Sequence, residues 1–216
     1  MKIDILTIFP DQVSSFLSEG IFRLAQKQGV EINVHDLRGW TTDKHKTIDD
    51  RPFGGGPGMI MKVEPIFKAL QSLKSSKSTV ILTSAKGEML SSELSKELSK
   101  LKHIILICGH YEGVDERVKE HLTDKQISIG NYVLSGGELP ALVVLDSLLR
   151  HVPSVLGNPE SLEEESHEEG IEQEYPQYTR PEDFKGWKVP EILLSGDHEK
   201  IRRWRKARSN GKSRKL

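Results

Sequence analysis

Five short apolar segments recur through the first 130 residues: "KIDILTI" (2–8), "EINVHDL" (31–37), "STVILTS" (78–84), "HIILIC" (103–108) and "KQISIG" (125–130). Branched side chains lose rotamer freedom in a helix and pack well on a pleated surface, so runs this short and this rich in Val and Ile read as strands. Helical patterning fills the intervals at 11–28, 64–74, 91–100 and 114–121, and then at 138–149. Such alternation predicts an α/β domain with a mostly parallel sheet and helices on both faces. The pattern ends near residue 157, where "PSVLGNPE" places two prolines and a glycine in eight residues.

At 216 residues the chain suits one large domain, or one medium and one small. A net charge of −1 conceals a strong asymmetry beyond residue 157. Residues 160–174 hold eight acids and no base, with too few apolar groups to pack, so 158–176 reads as a flexible acidic linker. Residues 198–216 hold nine Lys or Arg and one acid, which suits a polyanionic partner; a solvated tail is the plainer alternative. Ser195 or Asp197 is placed to cap a helix starting near 197, and Gly211 to end it, making 177–216 a small helical second domain. The single cysteine, Cys108, rules out an internal disulfide, suits a reducing cytoplasm and reads as a core thiol. No run of eighteen apolar residues is present, and "MKIDILTIFPD" lacks a signal-peptide cleavage site, so a cytoplasmic protein without membrane contact is expected.

Glycine is concentrated in three loops, at 51–59, 108–117 and 129–140. The second and third each follow a strand and precede a helix, where open parallel sheets bind their ligands. Segment 127–140 has three glycines and no Lys or Arg, a poor match for a phosphate. A P-loop fails as well, because the only Gly-Lys-Ser, 211–213, has Lys206 where the first glycine belongs. No loop meets G-x-G-x-x-G, so neither an NTPase nor a dinucleotide enzyme is supported. What remains is a ligand read by peptide N–H and C=O groups, which glycine leaves open to approach, or tight turns without a ligand. Helix 138–149 is apolar around most of its circumference, which predicts burial on all sides and, in a domain this small, a subunit interface. The eight histidines form no cluster like those of zinc sites, and no metal ligand is assigned.

Four stretches together, "HKTIDDRPFGGGPGM" (45–59), "CGHYEGVDER" (108–117), "SIGNYVLSGGELPA" (128–141) and "YTRPEDF…PEILLSGDHEKIRRWR" (178–205), closely resemble the bacterial tRNA (guanine-N1)-methyltransferases of the SPOUT class. The likeness runs from Met1 to about Arg208, in the same order and at similar spacing. It implies a SPOUT domain at 1–157 with a deep trefoil knot whose loops hold S-adenosylmethionine, a linker at 158–176 that carries a base, and a tRNA-binding domain at 177–216. Carried over residue by residue, the cofactor contacts fall on Leu82, Thr83, Ser84 and Gly87, and on Gly109, Tyr111, Glu112 and Gly113. Ile129, Gly130, Asn131, Tyr132, Val133 and Leu134 continue the wall, and Gly136, Gly137 and Pro140 close it. A neutral adenine and a cationic sulfonium would account for a segment without basic residues.

The implied reaction methylates N1 of the guanosine immediately 3′ of the anticodon, position 37 of the tRNA, when the preceding base is G, in support of reading-frame maintenance. N1 carries a proton that a base must remove, and charge gathering on O6 calls for an arginine or a metal ion. The resemblance assigns the arginine to Arg150. Where the family has Glu-Glu-Asp-Ser-Phe, this chain has Glu163-Glu164-Glu165-Ser166-His167, so Glu165 takes the place of the aspartate and His167 that of an aromatic that packs on the target base. Glu168 and Glu169 are the substitutes for Glu165 as base. His45, Asp49, Asp50, Arg51 and Gly55 are placed near the target and its neighbouring base, although Asp49 and Asp50 also suit a turn or cap. Arg202, Arg203, Arg205, Lys206 and Arg208 are placed at RNA phosphates, with Trp204 as a core residue. The resemblance further implies a homodimer with a composite active site and a reaction supported by Mg2+. Two other readings are a SPOUT methyltransferase with another RNA target and a non-catalytic RNA-binding relative, the latter resting only on Glu165 and His167.

Overall fold

The computed structural model describes residues 1–156 and 175–209. The chain divides into two units, Met1–Gly157 and Asn158–Leu216. The first runs β1 (Lys2–Thr7), α1 (Pro10–Leu17), α2 (Gly20–Lys27), β2 (Glu31–Asp36), a 3-10 turn (Leu37–Trp40), β3 (Asp49–Asp50), β4 (Ile60–Met61), α3 (Val63–Leu73), β5 (Ser78–Met89), α4 (Ser92–Ser99), β6 (His103–Cys108), α5 (Glu116–His121), β7 (Lys125–Ser128) and α6 (Glu138–Leu149). The second contains β8 (Asp183–Phe184), β9 (Trp187–Lys188), α7 (Glu191–Leu194) and α8 (His198–Ser209).

Five strands form one sheet in the order β2-β1-β6-β5-β7, with every neighbouring pair parallel. Alternate residues point to opposite faces. Ile3, Ile5, Ile104, Leu106 and Cys108 meet the buried sides of α1, α2, α4 and α6. Leu6, Ile105, Ile107, Val80 and Leu82 meet α3 and α5. All six residues of β6 are buried, which is why the central strand reads as an unbroken apolar run. Helices therefore cover both faces, as the alternation predicts.

Three departures have local causes. The helix expected over 11–28 is two, because Gly20 takes φ +57° and a continuous helix cannot pass through it. The strand expected at 78–84 continues to Met89 through a bulge between Thr83 and Glu88. Helix α6 is not buried all round: Leu139 and Val143 are about half exposed, on the same stripe as exposed Asp146.

Strands β2, β1 and β6 are tied together by a polar cluster. Asp4, fully buried, accepts from His103 Nε2 at 2.7 Å, His35 Nε2 at 2.8 Å and Asn33 at 3.1 Å, and Lys2 lies at 3.3 Å. Burial pushes its carboxyl up, but these bonds together outweigh burial and hold it below its ordinary value.

In the second unit a two-stranded hairpin, absent from the sequence reading, turns at Lys185 and Gly186, both with positive φ. Asp197 caps α8 by accepting from the Lys200 N–H at 3.1 Å. Gly211, expected to end that helix, lies outside the described residues. Trp204 is half-buried, 6.5 Å from the Tyr178 ring. No helix among the described residues is long and apolar enough to cross a membrane.

Candidate active site

The carboxyl ends of β5, β6 and β7 open onto one cavity of about 220 Å³, lined by 82–86, 109–114, 127–130 and 132–137 together with Lys119 and Pro140. One water occupies about 30 Å³ of liquid, so this space suits an organic ligand better than a lone ion. The loops that form it are bound to one another through the backbone. Gly137 N–H donates to Gly109 O at 2.7 Å, and Gly136 bridges His110 in antiparallel fashion. The Thr83 hydroxyl lies 3.2 Å from Ile107 O and 3.3 Å from Gly137 O. A Cβ on Gly137 would stand 2.2 Å from that hydroxyl oxygen and 2.7 Å from Gly109 N. No side chain fits there, so the glycine is required by close approach.

The positions assigned to the cofactor at 82–84, 109, 111–113, 129–130, 132–134, 136–137 and 140 all lie on this one wall. Two assigned positions do not. Gly87 sits in the β5 bulge, where a Cβ would be 2.5 Å from Ile127 N; it serves strand pairing. Asn131 is exposed and off the wall. Segment 127–140 brings no basic group to the cavity, but neighbouring segments do. Lys86 and Lys119 line the cavity, because the lining comes from segments well outside 127–140. Lys119 is neutralised by Glu116 at 2.5 Å, and Lys86 is exposed at the rim.

Behind the wall lies a buried acid that the sequence reading passed over. Glu138, at the first turn of α6, is 2% exposed and accepts from the Thr7 hydroxyl at 2.7 Å. Its other oxygen is 3.8 Å from His110 Nδ1, a buried nitrogen without a hydrogen-bond partner. The His110 ring is held edge-on between Phe9 at 5.0 Å and Tyr111 at 4.8 Å. An acid heading a largely apolar helix was the available signal, since an N-terminus favours a negative group. Burial first and the Glu138 charge second push the Cys108 thiol well up, so it stays a protonated core group.

Tyr111 has φ +58°, an unfavoured conformation for a non-glycine residue, at the lip of the cavity. Burial first and then the Asp49 carboxylate raise its phenol, against an opposing effect of Arg38. Asp49 stands on β3, paired with Met61 of β4. The segment carrying it is laced to the same wall: Met61 N–H donates to Gly113 O at 2.9 Å, Glu112 N–H to Met59 O at 3.0 Å, and Asp115 N–H to Met61 O at 3.0 Å. Asp115 then caps α5 and takes two bonds from the Arg117 guanidinium, at 2.9 and 2.7 Å, which fix the end of the loop.

The remaining assigned residues are distributed as follows. Asp49 and Asp50 pair with Met61 and Ile60 across β3 and β4, and Asp50 accepts from the Arg51 N–H at 2.8 Å, a local turn contact. His45, Asp50, Arg51 and Gly55 are exposed. Arg150 is the half-buried capping residue at the end of α6. In the second unit, Arg202, Arg203 and Arg205 are exposed on α8; Arg203 pairs with Glu199, and Arg205 lies 4.7 Å over the Tyr175 ring. Glu165 and His167 lie outside the described residues.

Comparison with known proteins supplies the context for this geometry. The tRNA (guanine-N(1)-)-methyltransferase of Dictyoglomus turgidum is 58% identical over 207 residues, covering 95% of this chain and 84% of that protein. Its counterpart in Moorella thermoacetica is 51% identical over 211 residues, with the same two coverages. That of Ruminiclostridium cellulolyticum is 49% identical over 218 residues, 99% of this chain and 93% of that protein. Residues 1–216 match the family described as tRNA (Guanine-1)-methyltransferase TrmD, and the chain belongs to that family.

Proposed function

We propose that this chain, a tRNA (guanine-N1)-methyltransferase by family, acts in the cytoplasm on the guanosine immediately 3′ of the anticodon in tRNAs whose preceding base is G. The observation that carries the site assignment is the cavity at the carboxyl ends of β5, β6 and β7, walled by loops whose backbones meet closely at Gly109 and Gly137. Its chemistry fits S-adenosylmethionine. Neutral peptide groups suit an adenosine, Glu112 suits hydroxyls or a cation, and exposed Lys86 suits a carboxylate at the rim.

When bound, that cofactor supplies the methyl group. The chain's own tasks are to orient the guanine, remove the N1 proton and stabilise negative charge on O6. In this proposal Glu165 accepts the proton and Arg150 faces O6, while Asp49, Asp50 and Arg51 read base edges beside the cavity. His167 packs on the target base, and Arg202, Arg203 and Arg205 hold phosphates. In a homodimer, one chain holds the cofactor and its partner supplies the base. Exposed apolar side chains on three helices that pack together, Phe16 on α1, Leu24 on α2, and Leu139 and Val143 on α6, support a second copy on that face. The trefoil knot belongs to this reading too, supported by the tight stitching of 136–137 to 109–110.

The test incubates the purified chain with S-adenosylmethionine, Mg2+ and a tRNA transcript with G at both positions, then analyses nucleosides for 1-methylguanosine. The expected product is one methyl at that site, and Glu165→Gln is expected to lower kcat by about a hundredfold or more. Cofactor binding without methylation of this tRNA would turn the reading toward another RNA target. Wild-type turnover by Glu165→Gln would remove Glu165 as the base.

A further inference from the structure

Phe53 is the most exposed large apolar side chain among the described residues, at 101% of its full accessible surface. A phenylalanine gains roughly 1.5–3 kcal/mol by burial, and this one forgoes the gain entirely. It stands on a glycine stalk. Gly54, Gly55 and Gly56 all have positive φ, and a Cβ on any of them would meet nothing within 4 Å. These glycines therefore serve no close approach; they leave both faces of the ring clear and let it reorient. The stalk is anchored at one end only a few residues away. Gly58 lies against Glu112, where a Cβ would stand 2.3 Å from the carboxylate, and Met59 O accepts from the Glu112 N–H.

From this placement we infer that Phe53 is a stacking platform for an unpaired base next to the target guanosine, an inference that rests on the function proposed above. Tyr111 and Glu112 line the cavity, and the arm that carries Phe53 is bonded to Glu112 through Met59, so in this inference a base beside the reacting one falls to the arm. Anticodon-loop bases have exposed π faces, and an aromatic ring receives such a face whatever the base. Arg51, two residues earlier and exposed, offers donors to a base edge. Asp50 on the same segment offers acceptors to a base edge. Phe53 does not take part in methyl transfer; it positions the RNA, so its effect falls on tRNA affinity.

The experiment compares the full chain with Phe53→Ala, Phe53→Leu and Phe53→Trp. It records KM and kcat for tRNA, affinity for an anticodon stem-loop, affinity for S-adenosylmethionine, and mass by sedimentation. Stacking predicts that Ala and Leu raise KM and weaken stem-loop binding by about 5- to 150-fold, the range removed with one base–aromatic contact. Trp restores both, while cofactor affinity and mass stay at wild-type values. Unchanged KM in Phe53→Ala, or rescue by Leu as good as by Trp, overturns the inference. A lowered mass in Phe53→Ala also overturns it, by showing that the ring is covered by a second copy. A wild-type chain that neither binds nor methylates this tRNA removes the underlying function instead, and is told apart because the variants then have nothing to lose.

Discussion

Two glycine-rich regions of this chain look alike in sequence and are physically opposite. Around the cavity, Gly137 has no room for a side chain, because Thr83, Gly109 and Cys108 occupy the space. In the 51–58 loop, Gly54, Gly55 and Gly56 face open space, and their positive φ is the only demand they meet. The first region is rigid by packing and suits a small ligand held in one pose. The second is a free arm rooted on the first, suited to a large substrate that arrives with its own shape. The difference lies in what surrounds the backbone, and glycine content alone does not reveal it.

Gly137→Ala is the sharpest way to test the packed side of that contrast. Its Cβ would meet backbone atoms, which cannot swing aside as a flexible side chain would. We expect a stability loss of about 3 kcal/mol and loss of measurable S-adenosylmethionine binding by calorimetry. Binding at wild-type affinity would show that the wall gives way, and the contrast with 54–56 would collapse.

A smaller effect is expected within the sheet itself. Asp4 has a folded-state pKa below its ordinary value near 3.8, so its contribution is fully present above that value and is lost as pH falls through the folded-state pKa. Asp4→Asn should cost about 2 kcal/mol near neutral pH, as expected for hydrogen bonds to a charged group, and should flatten the fall in stability below pH 4. Cofactor affinity per folded molecule should not change. Denaturant melts from pH 2.5 to 7, paired with calorimetry, check both statements. A weaker cofactor affinity in Asp4→Asn would mean that the loops sense the whole scaffold.

Much of this was legible in the sequence for stated reasons. Strands covered on both faces appear as apolar runs, so the sheet could be read from "HIILIC" and its relatives, and the loops at strand ends located the cavity. The second half of β5, "SAKGEM", is polar and mostly exposed, so no periodicity announced it as strand. Glu138 and His110 were missed because burial of a polar group depends on a partner distant in sequence; Thr7 is 131 residues from Glu138. Lys86 and Lys119 reach the cavity from neighbouring segments, which no reading of 127–140 alone can register. Glu165 and His167 rest on resemblance, because nothing local singles out one acid among eight.

The smallest expected effect tests the free side of the contrast. Gly55 has φ +78° and open space around it, so Gly55→Ala meets no clash and incurs only the conformational penalty of a left-handed L-residue, roughly 1 kcal/mol. Because the loop is exposed and makes few contacts, that penalty is met by local rearrangement of 53–56 and leaves the core intact. Global stability should therefore hold within about 1 kcal/mol and cofactor affinity should be unchanged, while KM for tRNA rises several-fold as the arm samples other shapes. Calorimetry with S-adenosylmethionine and steady-state kinetics with tRNA separate these quantities. If cofactor affinity falls along with tRNA affinity, the strain is passing through Gly58 and Glu112 into the wall. The arm and the pocket would then be one mechanical unit, and the glycines of both regions would serve a single coupled motion.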